Sequence, residues 1–136
     1  MHKMLLLFSH ELTVDQREDA DASLLINEFV PLPLDLQELW GNIPPMKPLL
    51  SDYLEPFYTW IKENANSGDY VLIQGDFGAA YSMVNYAFSA GLIPIYATTE
   101  RESAETRMPD GSVKLERIFK HKMFRGYKMS EGVDHE

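Results

Sequence analysis

The sequence has no cysteine. That excludes disulfides, a thiol nucleophile and Cys-ligated zinc or iron–sulfur sites. Long apolar runs are also missing. The longest, Met4 to Phe8, falls far short of the ~20 residues that span a bilayer, and it lacks the layout of a signal peptide. No membrane partner is expected, and the location read from this is cytoplasmic. Cations are scarce: 12 Lys plus Arg stand against 21 Asp plus Glu, for a formal net charge of −9. A chain this acidic is a poor general binder of long DNA or RNA, because neutralising phosphates takes many cations. Any nucleotide it handles should be small and held in a local pocket. No His-x-His, paired-carboxylate or zinc signature occurs, so neither a metal site nor a cofactor is expected.

What is present fits one globular domain: 136 residues, 45% hydrophobic and 24% charged. The charge is uneven. Residues 1–60 carry a net −7, residues 61–99 −2, residues 100–128 +3 and residues 129–136 −3. The cations from Arg101 to Lys128 read either as the charged edges of a solvated strand pair or as a basic rim.

Met4 to Phe8 is a continuous apolar run, as expected for a strand covered on both faces. Thr13-Val14-Asp15-Gln16 matches a capping box, which predicts a helix from Thr13 to about Ser23. Leu24 to Val30 reads as a second strand and Leu34 to Trp40 as a short helix. Leu49 to Asn64 has helical apolar spacing, with Pro56 expected to kink or split it. Tyr70 to Ile73, the turn Gln74 to Gly78, a helix from Ala79 to Ala90, a Gly91 cap and a strand from Leu92 to Ala97 form a β–turn–α–β unit with parallel strands. Thr98-Thr99 is expected to leave that strand. Pro109-Asp110-Gly111 then joins two alternating segments as a hairpin, and a frayed acidic tail follows from Gly126, set off as residues 128–136. The sum is an α/β domain over residues 1–127. Its sheet is mainly parallel with helices on both faces, extended by a C-terminal β-hairpin.

Open parallel sheets bind ligands outside the carboxyl ends of their strands. Three such ends are legible: Ser9-His10, Gln74 to Gly78, and Thr98-Thr99-Glu100-Arg101. Gly75 and Gly78 would let backbone amides approach an anion at a helix N-terminus. On that reading a side chain at Gly75 blocks binding while leaving the fold intact. Asp76 reads equally as a helix N-cap or as an acceptor for a ribose hydroxyl or an adenine amine. Phe77 reads as core, with a base-stacking surface as the alternative. Ser9 and His10 could orient a hydroxyl or phosphate, and their plainer reading is a strand-end turn and a surface imidazole. Thr98 and Thr99 could bond phosphate oxygens, and Arg101 could clamp one or pair with Glu100 or Glu105. His121, between Lys120 and Lys122, reads as a core histidine in preference to a proton carrier.

The segments LLLFSHELT at 5–13, LQELWGNIPP at 36–45, YVLIQGDFGAAYSMVNYAF at 70–88 and GLIPIYATTER at 91–101 resemble a small CRISPR-associated Csx family of type III systems. The resemblance runs from about Met4 to Tyr127 and is most specific in QGDFG and IPIYATTxR. It implies a Rossmann-like, CARF-like fold, a homodimer and a cyclic oligoadenylate ligand. It further implies metal-independent ring-nuclease activity on that ligand, with cyclic tetra-adenylate the favoured ring. The matching positions are Ser9, His10 and Arg101, taken as the catalytic candidates, and Gln74, Gly75, Asp76, Phe77, Gly78, Thr98 and Thr99, taken as ligand-binding. A non-catalytic module that sequesters the same ligand is the alternative.

Overall fold

The computed structural model describes residues 2–129. Its elements run β1 (His2–Leu7), α1 (Val14–Leu24), β2 (Ile26–Pro31), α2 (Leu34–Gly41), α3 (Glu55–Asn64), β3 (Tyr70–Ile73), α4 (Phe77–Ser89), β4 (Ile93–Arg107) and β5 (Val113–Gly126). They form a five-stranded sheet in the order β2-β1-β3-β4-β5. The first four strands are parallel, and β5 pairs antiparallel with β4.

The Met4–Phe8 run is apolar throughout because β1 is flanked by β2 and β3 and covered on both faces. Leu5 and Leu7 join Val71 and Ile73 in a core with Trp40 of α2, Phe57, Trp60 and Ile61 of α3, and Met83, Val84 and Ala87 of α4. Met4 and Leu6 point the other way, into a smaller core with Leu72, Ile95, Phe124, Leu12, Ile26 and Ala20 of α1. Helices therefore cover both faces, three on one side and α1 on the other. Burying each large apolar side chain contributes about 1.5–3 kcal/mol, so β1 and β3 anchor the domain.

The expected capping box is present. Thr13 Oγ1 accepts from the Gln16 amide at 3.2 Å, and Gln16 Oε1 accepts from the Thr13 amide at 2.9 Å. Gly91 takes the left-handed conformation just past α4 (φ +74°), where a Cβ would be strained. Pro56 does not kink or split a helix. It lies in the first turn of α3, where its missing N–H has no partner to lose. The chain is turn-like at residues 51–54, so the long periodic segment becomes a shorter helix with a bent lead-in.

The largest departure is in β4. Thr98, Thr99 and Arg101 do not leave the strand; β4 runs unbroken to Arg107. No Gly, Pro, Asn or Asp occurs between Pro94 and Pro109, so nothing in that stretch breaks strand pairing. A bulge at Thr98/Thr99 is the only irregularity in the β4–β5 ladder, which ends at Arg107↔Val113. From this bulge outward the two strands form an arm. The tail also departs from expectation at its start: Tyr127 is anchored, its hydroxyl donating to Ile73 O at 2.7 Å and its amide to Pro94 O at 3.0 Å. The rest of that tail, from residue 130, lies outside the described residues.

Candidate functional site

β1 leads through α1 to β2 on one side of the sheet, whereas β3 leads through α4 to β4 on the other. The strand order reverses between β1 and β3. Chains leaving two neighbouring strands in opposite directions open a crevice at their carboxyl ends, and ligands of open α/β sheets bind there. Here the crevice, of about 200 Å³, is lined by Phe8, Ser9, His10, Gln74 and Gly75. Two of the three expected strand ends therefore meet.

A second cleft of about 480 Å³ shares Gln74 and Gly75 with the crevice and is walled by aromatics, among them Phe77, Tyr81, Phe88, Tyr96 and Tyr127. Sequence reasoning missed Tyr81, Tyr96 and Tyr127. The pair Phe77 and Tyr81, one helical turn apart on α4, was the available signal. The Tyr96 and Tyr127 rings lie 4.8 Å apart. Burial, helped by Tyr96, pushes the Tyr127 phenol above its usual value, which keeps it a neutral hydrogen-bond donor.

Gln74 is the keystone of the crevice. Its backbone carbonyl accepts from Trp40 Nε1 at 2.7 Å and its Oε1 from the Ala97 amide at 2.8 Å, while its amide donates to Leu7 O at 3.3 Å. One residue thus ties β1, β4 and α2 together. Gly75 is explained by the same indole: a Cβ there would lie 2.7 Å from Trp40 Nε1. Its smallness serves core packing, so the expectation that a side chain at Gly75 leaves the fold intact is corrected. A Cβ at Gly78 would meet only ordinary contacts, 3.5 Å from Asp76 Oδ2.

Asp76 is the N-cap of α4, its Oδ2 accepting from the Ala79 amide at 3.0 Å. Phe77 is not core: it is 95% exposed at the mouth of the aromatic cleft. The first turn of α4 directs it outward because Ala79 and Ala80, not Phe77, face the sheet. His10 is exposed, its ring edge-on to Phe8 at 5.5 Å. It also borders a hollow of about 260 Å³ that includes Arg17 and Gln37.

Thr98, Thr99 and Arg101 are not brought to the crevice. The Thr98 hydroxyl is engaged with the backbone of Met123, at 3.2 Å to both N and O. Thr99 pairs opposite His121. Arg101 lies four residues beyond Ala97, about 13 Å further along the strand, and its guanidinium sits 5.2 Å from the Phe119 ring centre. Glu100 pairs with Lys122 at 2.9 Å, not with Arg101.

His121 bears out its core reading. Its side chain is 6% exposed, and Nε2 lies 2.8 Å from Asp19 Oδ2 on α1. Burial pushes the Asp19 carboxyl up, but hydrogen bonds from Ser23 and His121, with the charge of His121, outweigh it and hold the group below its ordinary value. Among the described residues, no three His, Asp or Glu side chains converge to hold a metal ion, and no helix is long and apolar enough to cross a membrane.

These features define a mixed α/β protein with a mostly parallel sheet and a polar crevice at its order reversal. The chain matches the model of the Uncharacterized protein MJ1673 family over residues 2–125 and belongs to that family. Uncharacterized protein MJ1673 of Methanocaldococcus jannaschii is 52% identical over 127 residues, 93% of this chain and 98% of the relative. The family match covers the residues of body and arm alike. No solved structure matches the chain.

Proposed function

We propose that this protein binds a cyclic oligoadenylate, with cyclic tetra-adenylate the favoured ring, and opens it without a metal, ending the signal that the ring carries. The Rossmann-like, CARF-like reading of the fold, cytoplasmic action and a homodimeric state belong to the same proposal. The observation that carries it is the junction of two surfaces at the order reversal. The polar crevice of Ser9, His10, Gln74 and Gly75 suits a ribose-phosphate, and the adjoining aromatic cleft suits a stacked purine. The family resemblance of the QGDFG and IPIYATTER segments supports the choice of ligand.

In this reading a 2′-hydroxyl held by Ser9 attacks the adjacent phosphorus in line. The 5′-oxygen departs, leaving a 2′,3′-cyclic phosphate and a 5′-hydroxyl. His10 takes the proton from the nucleophile or delivers one to the leaving oxygen, and positioning supplies the rest of the acceleration. Asp76 caps α4, and its carboxylate repels phosphate, so the anion sits toward Ser9 and His10 and away from the helix terminus. Thr98, Thr99 and Arg101 enter only where the ring spans from the crevice to the arm.

The test is chromatography of tri-, tetra- and hexa-adenylate rings incubated with excess protein, with and without EDTA. Expected are linear products ending in 2′,3′-cyclic phosphate, a rate unaffected by EDTA, and a loss of about 10²-fold in cleavage with little loss of binding for His10→Ala. A ring that is neither bound nor cleaved overturns the reading. A specific observation favours binding without cleavage as the second reading: His10 is the one titratable side chain lining the crevice. A ring bound tightly and returned intact would establish that alternative.

A further inference from the structure

The arm has no core of its own. From Thr99 on β4, and back along β5 as far as Lys120, no residue is buried; the His121 side chain at the arm's base is the first to be covered, and a lone two-stranded ribbon is marginally stable in water. Its two faces differ in chemistry. The register Arg101↔Phe119, Ser103↔Arg117, Glu105↔Leu115 and Arg107↔Val113 places these residues on one face. Lower down, the same face carries Phe124 and His121 against α1, so the stripe of Val113, Leu115 and Phe119 continues an apolar core out past the body. Those three side chains are 54–63% exposed, and Arg107 and Arg117 frame them. The opposite face neutralises itself, with Lys122 paired to Glu100 at 2.9 Å and Lys114 to Glu116 at 3.1 Å.

The body carries a surface with the complementary chemistry. Leu34, Met46 and Leu49, on α2 and the connection to α3, are 75–90% exposed. On the same segment Asp35 and Glu38 line a hollow with Leu39, Pro44 and Tyr53, and Asp52 and Glu55 follow in the chain, with Lys47 the only cation from residue 32 to residue 60. Among the described residues nothing covers the side chains of Leu34, Met46 and Leu49. An apolar arm face whose three arginines, Arg101, Arg107 and Arg117, outnumber its one carboxylate, Glu105, and an acidic segment with exposed apolar side chains match in both polarity and charge.

We propose that the outer arm docks, through Val113, Leu115 and Phe119, on the surface between α2 and α3 of a second copy of this chain, and that the second copy's arm returns the contact. The exchange closes as a two-fold dimer and removes both exposed stripes from water in one step. It rests on the homodimeric state proposed above and says how that dimer is built, while binding and cleavage of the ring are read by a separate assay, so failure of one is distinguishable from failure of the other.

The absence of cysteine makes the test clean. Variants Leu115→Cys and Met46→Cys are purified separately, mixed at micromolar concentration and oxidised, with Leu25→Cys as an exposed control elsewhere. A disulfide-linked pair of Leu115→Cys with Met46→Cys is expected, with at least ~10-fold less from Leu115→Cys with Leu25→Cys. Sedimentation equilibrium of the unmodified chain should give a dimer. Phe119→Asp should weaken association by ~100-fold or more while circular dichroism shows the body still folded. Arg117→Glu, which leaves the apolar stripe whole, should weaken it in a salt-dependent way. A monomeric wild type overturns the proposal. So does Leu115→Cys linking mainly to itself, which would mean that arm packs on arm. A wild type that stays monomeric yet binds a single-stranded RNA oligonucleotide, with loss of binding in Arg117→Glu, would assign the arginine face to nucleic acid instead.

Discussion

The body and the arm share one sheet and are held together by different forces. In the body, Leu5, Leu7, Val71, Leu72 and Ile73 are fully buried. There the strands are held by side chains packed from both faces. β4 crosses from one regime to the other along its own length: Ile95 is 3% exposed, and past the bulge at Thr98/Thr99 burial ends. Beyond it, cross-strand pairs contribute only ~0.2–1 kcal/mol each. A ladder can therefore persist where a core has stopped, and the segment that gains least from folding alone has the most to gain from a partner.

The sharpest way to break this comparison is inside the body. Gly75→Val would drive a Cβ into the Trp40 indole and displace the hydrogen bond to Gln74 O. Overpacking and the lost bond together should cost about 3 kcal/mol. Urea denaturation should show the midpoint falling accordingly. A variant as stable as the wild type would mean that Trp40 moves freely and that the crevice floor is not rigid.

At the junction, the Asp19–His121 pair joins α1 to the base of the arm. Asp19→Ala leaves a nearly buried imidazole without its Nε2 partner, and His121 Nδ1 already has none. The expected loss is about 2 kcal/mol at pH 6. The Asp19 carboxyl is held below its ordinary value of 3.8. Its contribution is therefore complete above 3.8 and is lost as pH falls below 3.8 through the lower folded value. The gap between wild type and Asp19→Ala should therefore hold from pH 6 down to the ordinary value of 3.8 and narrow as pH falls below it. A gap that is constant with pH would mean that the contact acts through packing alone.

The smallest effect belongs to the arm. Leu115→Ser, measured at a concentration low enough to keep copies apart, should change folding stability by less than about 0.5 kcal/mol. A loss of 2 kcal/mol would show that the arm belongs to the body's cooperative unit.

Much of the fold was legible in the sequence because local rules and burial agreed. The capping box of Thr13 and Gln16, the doubly covered run at Met4 to Phe8 and the β–turn–α–β unit from Tyr70 to Ala97 each follow from residue type and spacing. Where one signal admitted two outcomes, reading failed. Phe77 is apolar, yet its place in the first turn of α4 turns it to solvent. Pro56 starts a helix instead of bending one. Thr98 to Arg101 look like a strand exit only if the lack of any turn residue before Pro109 is overlooked.

The sequence by itself determined the alternation of elements, the mostly parallel sheet and its core, since these depend on periodicities of two and 3.6 residues and on caps. Only the tertiary structure decided which strand ends meet. Strand order is a long-range property, set by how α1 and α4 cross to opposite sides of β1 and β3. It brings Ser9 and His10 to Gln74 and Gly75 and sends Arg101 out along the arm. It also decided why Gly75 is glycine: the indole it accommodates lies 35 residues earlier in the chain, and no local pattern records that approach.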